Sequence, residues 1–253
     1  MNKILIGEMS WTDFQEKMKD TDLIIMPVGV LEEHGHHNPL GTDTHIAESA
    51  AYEVGKATNL PVAPVLPYGY TTNIINFAGT ISLDPILYRD VLKSYCESFI
   101  KHGVKRILFI NGHGVNTDIL QMVSRDLFDK YECLCMYTQW WEVLPQINKE
   151  WGCTDHGGYF ETSLMMAVNE KIIDMTRAKK APDIQLTEKI KYSHGWKFNN
   201  ARINVPTDLY NLQKIGNMGD PLGANVKLGR EMMEEYVKFN VELAEEMKKI
   251  NFK

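Results

Sequence analysis

Histidines and carboxylates are concentrated in one short segment, from Glu32 to His45. Its fourteen residues hold four histidines and three carboxylates, and they follow directly on the apolar run 23–28. Imidazole nitrogen and carboxylate oxygen are ligand types that suit Zn²⁺, Mn²⁺ and Fe²⁺, and a loop leaving a buried strand can hold such groups rigidly. The composition therefore predicts a metal site with seven candidate ligands: Glu32, Glu33, His34, His36, His37, Asp43 and His45.

Two further segments carry the same chemistry. The sequence Asn111-Gly112-His113-Gly114 follows the apolar run 107–110, at the kind of strand end where open α/β sheets bind ligands. Its glycines allow unusual backbone angles, so His113 can face a cleft, whereas the glycine spacing and Lys-Ser/Thr ending of a phosphate-binding loop are missing. A third cluster contains His156 and Glu161, with Glu161 in the first turn of a predicted helix. Three such clusters predict one composite site.

Strand-like apolar runs alternate with amphipathic helix-like stretches along most of the chain. Segment 176–222 has little periodicity and is predicted to form loops and short strands that cover one end of the sheet. The alternation elsewhere predicts an α/β fold with a mainly parallel sheet, covered by helices on both faces. The predicted strands are 23–28, 62–65, 106–110 and 134–138, and the predicted helices are 10–18, 44–58, 85–102, 117–131 and 224–249.

Composition and charge exclude several classes of protein. The formal net charge is −6, and no basic cluster is longer than 177–180, so the basic face that nucleic acid requires is missing. No apolar run approaches the roughly 20 residues of a membrane-spanning helix, and the N-terminus has no signal-peptide pattern, so a cytoplasmic location is expected. The four cysteines form no CxxC pair and are expected to be buried thiols: Cys96, Cys133, Cys135 and Cys153.

In order and spacing, the three clusters resemble the creatininase (creatinine amidohydrolase) family. The resemblance covers essentially the whole chain and implies one hydrolase domain over residues 1–253, with a three-layer α/β/α sandwich around a mainly parallel central sheet. It also implies two divalent metal ions per subunit (zinc, with manganese or iron as alternatives), a small-molecule substrate and a homo-hexamer. The matching blocks are Glu32-Glu33-His34-Gly35-His36-His37-Asn38-Pro39-Leu40-Gly41-Thr42-Asp43, Asn111-Gly112-His113-Gly114 and His156-Gly157-Gly158-Tyr159-Phe160-Glu161-Thr162-Ser163.

The same resemblance implies roles for six residues. Glu32 and His34 would bind different metals, and Asp43 would bridge the two ions. His113 would occupy a further ligand position, and Glu161 would be the remaining carboxylate ligand in the catalytic centre. His156 matches the histidine that contacts substrate and handles protons. The residue chemistry agrees, because a Glu-x-His pair on extended backbone points to one side and a bridging carboxylate suits two metals about 3.5 Å apart.

The chain also departs from creatininase itself. An acidic ligand follows the strand-end histidine by two positions in creatininase, and Val115 occupies that position here. The usual Gln and Pro of the first block are Glu33 and His36, which makes creatinine a doubtful substrate. Because a two-metal site needs only about five or six protein ligands, His36, His37 and His45 are expected to form hydrogen bonds near the site or lie at the surface. Glu33 is expected to be solvated or paired.

The predicted activity is hydrolysis of a small cyclic substrate by a metal-bridging hydroxide, with a C–N amide or amidine bond as the first choice. One alternative is a ring-opening C–C hydrolase of a cyclic polyhydroxylated dione, such as an oxidised inositol. Polar residues of the predicted covering region suit that substrate: Asn73, Asn76, His194, Lys197, Asn199, Asn200, Arg202 and Asn204. An alternative from another class is an inactive metal-binding or ligand-sensing module.

Overall fold

Three parallel strands form the centre of the protein, whose computed structural model describes residues 3–152, 156–192 and 195–251. They are β1 (Leu23–Val28), β2 (Arg106–Asn111) and β3 (Leu134–Gln139), paired in the order β1-β2-β3. Every residue of β1 is buried, as expected for a parallel strand covered on both faces. Two positions singled out in the sequence lie outside the described residues: Cys153 and His194.

The segment predicted as a fourth strand, 62–65, is not a regular strand. Val62 and Leu66 instead make isolated parallel bridges with Ile25 and Val28, which extend the sheet beyond the free edge of β1. Proline explains the difference, because it has no backbone N–H to donate to a neighbouring strand. Three prolines interrupt this part of the chain: Pro61, Pro64 and Pro67.

Eight α-helices surround the sheet in the described part of the chain, and none of them is both long and apolar enough to cross a membrane. The first helix begins after Ser10, whose side chain accepts from the Asp13 backbone N–H in a capping box. In chain order the helices are α1 Trp11–Asp20, α2 Thr42–Thr58, α3 Pro85–Lys101, α4 Asn116–Tyr131, α5 Trp140–Ile147, α6 Tyr159–Asn169, α7 Leu209–Leu212 and α8 Val226–Lys249.

Alternate residues of the strands pack against two separate helix layers. On one face, Leu23, Ile25 and Leu108 contact an apolar cluster that includes residues of α2, α5, α6 and α8. On the other face, Ile24 and Phe109 pack with residues of α3 and α4. This period of two follows from the pleat of the strands. The three-layer α/β/α sandwich predicted from the sequence is therefore confirmed.

The region of weak periodicity, 176–222, forms short elements beyond the main sheet. Three strands pair antiparallel in a unit called here the small sheet: β4 (Ile190–Tyr192), β5 (Trp196–Phe198) and β6 (Ala201–Arg202). Its apolar side chains join a third cluster around Ile74 and Leu209. The prediction of loops and short strands is confirmed in the described part of this region.

Glycines at the ends of β1 and β2 allow the first turn of α2 to pack directly on the sheet. A Cβ atom at Gly112 would lie 2.1 Å from the backbone oxygen of Asp43, and one at Gly29 would lie 2.6 Å from the Cα of Thr44. No larger residue fits at either position without moving the helix. The two glycines therefore determine how closely α2 approaches the strand ends.

Replacing Gly112 by alanine should destabilise the protein. In Gly112→Ala we expect the free energy of unfolding to fall by about 1–3 kcal/mol, the usual cost of overpacking, because the new methyl group collides with backbone. Urea unfolding of the metal-free protein measures this change in the free energy of unfolding. Gly114→Ala is the matched control, since its Cβ would meet only Trp141, at 4.0 Å. Equal unfolding midpoints for both variants and the wild type would contradict this account.

Candidate metal centre

All six residues predicted for the site lie together at the carboxyl ends of β1 and β2. Glu32 and His34 follow β1, His113 follows β2, and His156 lies in the turn that leads into α6. Helix α2 was predicted to begin at residue 44 but begins at Thr42, because Gly41 and Pro39 already accept helix-type hydrogen bonds. Asp43 consequently lies in the first turn of α2, and Glu161 lies in the first turn of α6. The helix dipole favours a carboxylate at both positions.

Asp43 faces two imidazoles at once. Its Oδ1 lies 2.9 Å from Nε2 of His34, and its Oδ2 lies 3.0 Å from Nδ1 of His113. All three side chains are buried. A carboxylate whose two oxygens point at different ligand-type groups has the arrangement that a bridging ligand requires.

Two further carboxylates complete two groups around Asp43. Glu32 Oε1 lies 3.2 Å from His113 Nδ1, and Glu161 Oε2 lies 3.5 Å from His34 Nε2. The ligand atoms within each triad, Glu32/Asp43/His113 and His34/Asp43/Glu161, all lie within 4.8 Å of one another. Each triad combines one imidazole with two carboxylates, a donor set that first-row divalent ions accept.

The remaining ring nitrogens are held by backbone carbonyls. His34 Nδ1 lies 3.1 Å from the carbonyl oxygen of Glu32, and His113 Nε2 lies 3.1 Å from that of Tyr70. An N–H donated to a carbonyl leaves the opposite nitrogen of a neutral imidazole with its lone pair toward Asp43, as metal ligation needs. The buried Oε2 of Glu32 has no hydrogen-bond partner among the described residues. A bound cation would provide this oxygen with a partner. The residues thus fit a metal.

In the metal-free protein, the positive charge of protonated imidazoles balances the negative charge of the buried carboxylates. Burial opposes the charging of His113, but Glu32 and Asp43 outweigh it and raise its pKa to about 10. Burial likewise opposes the charging of His34, but Asp43 and Glu161 raise its pKa well above the usual value. Burial alone would raise the pKa of Asp43, yet His34 and His113 hold it well below its ordinary range. A divalent ion would replace these protons.

His156 is held by a carboxylate that the sequence left undecided. Its Nε2 lies 3.1 Å from Oε1 of Glu33, its Nδ1 lies 3.6 Å from Oε1 of Glu32, and its ring stands 4.3 Å from that of His34. Glu33 is buried and also accepts from the backbone N–H of Gly35. Burial opposes its ionisation, but the hydrogen bond and charge of His156, the Gly35 N–H and the charge of His34 together outweigh burial and lower the pKa of Glu33. Of the two expectations for Glu33, pairing is correct and solvation is wrong.

The other histidines of the first segment lie beside the clustered ligand atoms. His36 is exposed, and His45 is half-buried next to Gly41. His37 is buried with Nε2 3.0 Å from Thr162 Oγ1, and burial lowers its pKa to about 4. Within the described residues, none of them belongs to a group that could hold a metal. His37 instead helps to attach the first segment to α6, which carries Glu161.

A cavity of about 710 Å³ opens above the clustered ligands, a volume typical of a site for one small molecule. Its floor includes Glu32, Asp43 and His113. Trp140 and Trp141 also line the cavity, and Val115 lines it without offering a ligand atom. The upper wall comes from the small sheet and its neighbours: Asn73, Tyr192, Arg202 and Asn204.

Comparison with known proteins agrees with this geometry. A family model described as creatininase, creatinine amidohydrolase, matches residues 7–244. The chain belongs to the creatininase family. A solved creatininase structure superposes with a TM-score of 0.82 at 23% identity, covering 99% of this chain and 100% of the other, so the two share the creatininase fold.

Several curated members of the creatininase family are similar in sequence. Creatinine amidohydrolase of Pseudomonas putida is 28% identical over 203 residues, covering 71% of this chain and 77% of the relative. A mycofactocin precursor peptide peptidase of Mycobacterium ulcerans is 26% identical over 245 residues, covering 92% of this chain and 88% of the relative. A 3-dehydro-scyllo-inosose hydrolase of Thermotoga maritima is 35% identical over 107 residues, covering 42% of this chain and 34% of the relative. All three relatives are hydrolases by name.

Metal binding should release protons from this creatininase-family centre. Because the pKa of His113 is about 10 and that of His34 is also raised, both imidazoles are protonated at pH 7 without metal. We expect about two protons to leave when both become ligands, and the apparent affinity to fall as the pH falls. Calorimetric zinc titration of chelator-treated protein in two buffers of different ionisation enthalpy counts the protons. A heat of binding that is the same in both buffers would contradict the protonated state.

Proposed function

We propose that this chain is a metal-dependent hydrolase that binds two divalent ions and cleaves a C–N bond in a small cyclic amide or amidine. Zinc is the proposed metal, with manganese or iron as alternatives. The observation that carries the proposal is the position of Asp43, shared by two triads of ligand atoms at the floor of a cavity. Family membership supports the reaction class.

In this proposal each triad binds one ion. Glu32 and His113 would hold the first ion, His34 and Glu161 would hold the second, and Asp43 would offer one oxygen to each triad. When bound, two such ions supply Lewis-acid activation of a carbonyl group and of water at neutral pH. Val115 lines the cavity where creatininase has a ligand, and Glu161 provides the replacing carboxylate.

His156 is the proposed proton carrier. Burial and the charge of His34 oppose its protonation, but the hydrogen bond and the charge of Glu33 raise its pKa above the usual value. Glu33 holds Nε2, so Nδ1 on the Glu32 side is the atom that gives a proton to the leaving nitrogen. The side chain also lines the cavity, within reach of a bound substrate.

Removing the shared carboxylate should empty both metal positions together. We expect Asp43→Ala to lower the zinc content from about two ions per chain to well below one, because both triads lose a ligand. Glu161→Gln should lose about one ion, since it weakens a single triad. Elemental analysis after dialysis against low zinc measures the content. Glu142→Gln, at the cavity wall and outside both triads, is the control. Loss of only one ion in Asp43→Ala would refute the bridging role.

The zinc-loaded protein should hydrolyse at least one substrate of the proposed class. We would assay it against creatinine, other cyclic amides and amidines, small formamides and keto-inositols, and expect turnover of a C–N substrate that a chelator abolishes and zinc restores. His156→Gln should keep its zinc and lose about 10²- to 10⁴-fold in kcat, as expected for loss of a general acid. No turnover of any C–N substrate would overturn the proposal. Metal binding with no turnover at all would support the inactive ligand-sensing module instead.

A second candidate is ring-opening C–C hydrolysis of a cyclic polyhydroxylated dione. The observation that favours it is the polar upper wall of the cavity, where Asn73, Tyr192 and Asn204 can hydrogen-bond hydroxyl groups. The similarity to an inosose hydrolase adds support over less than half of the chain. Turnover of keto-inositols alone in the same assay would select this candidate.

The family resemblance also leads to proposals about the assembly of the protein and its location in the cell. We propose a homo-hexamer, and the large apolar side chains exposed on α1 and α3 support association between copies: Trp11, Ile86, Leu87 and Tyr95. A cytoplasmic location is consistent with free thiols at Cys96, Cys133 and Cys135. The expected partner is a small molecule, and the acidic net charge does not suit nucleic acid.

A further inference from the structure

Three basic side chains lie side by side across the small sheet. Lys191 of β4 is directly opposite Lys197 of β5, which is directly opposite Arg202 of β6. Side chains at directly opposite positions of antiparallel strands point to the same face, with Cβ atoms about 4.5–5.5 Å apart. The three therefore form one line of positive charge, called here the cation row.

The local sequence determines this register. Asn199 and Asn200 both have positive φ, at 48° and 68°, and they join Phe198 to Ala201 as a two-residue hairpin loop. Asparagine tolerates this backbone region, and such turns match the natural twist of paired strands. The turn thereby places Lys197 opposite Arg202.

The cation row is not balanced by acidic groups. In the described part of the chain, no carboxylate lies within ion-pair distance of Lys191, Lys197 or Arg202. Like charges directly opposite each other destabilise a sheet, and this chain has 33 acidic against 27 basic residues from which partners could come. An anion bound from outside would compensate the row.

One end of the cation row reaches the cavity above the candidate metal centre. Arg202 lines this cavity beside Tyr192 and Asn204, so three hydrogen-bonding side chains converge on its upper wall. Asp118 and Glu142 also line the cavity. A planar guanidinium binds carboxylate or phosphate oxygens in pairs, and a cavity of about 710 Å³ admits a small molecule rather than a protein surface.

We infer that Arg202, the member of the cation row that lines the cavity, binds an anionic group on the substrate, so that the natural substrate carries a carboxylate or a phosphate at the end remote from the scissile bond. This inference rests on the proposed function and narrows its substrate class. Arg202 acts as a specificity-determining residue, while the residues at the cavity floor carry out the reaction.

A matched pair of cyclic amides tests the inference. Hydantoin-5-acetate and hydantoin-5-acetamide have the same ring and differ in charge. With the zinc-loaded protein we expect kcat/KM to favour the anion, and we expect Arg202→Gln to lower kcat/KM for the anion by about 10- to 100-fold, the effect of losing a charge-assisted hydrogen bond. The loss should come through KM, and the neutral amide should change less than about twofold.

Two further variants distinguish the effect of Arg202 on substrate preference from an effect of general surface charge. Arg202→Lys should retain part of the preference, because it keeps the charge and loses the paired geometry. Lys189→Gln removes a nearby basic residue outside the cation row and should leave the preference unchanged. Hydantoin-5-methylphosphonate distinguishes the two anions, since a phosphate-bearing natural substrate predicts a higher kcat/KM for the phosphonate than for the acetate.

The possible outcomes separate this inference from the proposed function. Hydrolysis of both compounds with the same kcat/KM ratio in wild type and Arg202→Gln would overturn the inference and leave the function intact. If neither compound is hydrolysed, both are titrated as ligands by tryptophan fluorescence, since Trp140 and Trp141 line the cavity. Binding of the anion that is about 10-fold tighter, and is lost in Arg202→Gln, supports the inference, whereas equal affinities overturn it.

Discussion

The contact of one carboxylate with two imidazoles, His34–Asp43–His113, is the constraint on which the rest of the structure depends. Asp43 can reach both rings only because the first turn of α2 lies directly against the ends of β1 and β2. That approach in turn requires glycine at positions 29 and 112, where any side chain would collide with helix backbone. The strands, the glycines and the helix therefore act as one support for the position of a single side chain.

Charge balance explains why so many ionisable groups can be buried together. Carboxylates and imidazoles alternate in space, so each charge has an opposite charge or a hydrogen-bond donor within about 4 Å of it, which offsets the loss of hydration. Glu33 and His156 continue this alternation beyond the two triads. The buried Oε2 of Glu32 has no hydrogen-bond partner among the described residues, so the balance is incomplete there without a cation.

Sequence reasoning was most successful where side-chain chemistry and strand ends coincide. That Glu32, His34, Asp43 and His113 lie together could be anticipated because ligand-type residues follow apolar strands, whereas the inclusion of Glu161 and the choice among the candidates depended on the resemblance to the creatininase family. The environment of Glu33 could not be anticipated, because the burial of this side chain depends on the distant residue Gly216. A Cβ atom at position 216 would lie 1.9 Å from Oε2 of Glu33. The cation row could not be predicted from the sequence either, because the register of its strands depends on a two-residue asparagine turn inside a segment without periodicity.

The cavity joins two parts of the fold that are built on different principles. Its floor belongs to the buried parallel sheet, whereas its upper wall belongs to a small sheet made of strands with two or three residues each. Substitutions on those short strands can alter the upper wall without disturbing the packing that holds Asp43. Such a division allows substrate range to diverge during evolution while most of the hydrolytic centre is retained, and relatives named for creatinine, a peptide and an inosose are consistent with that history.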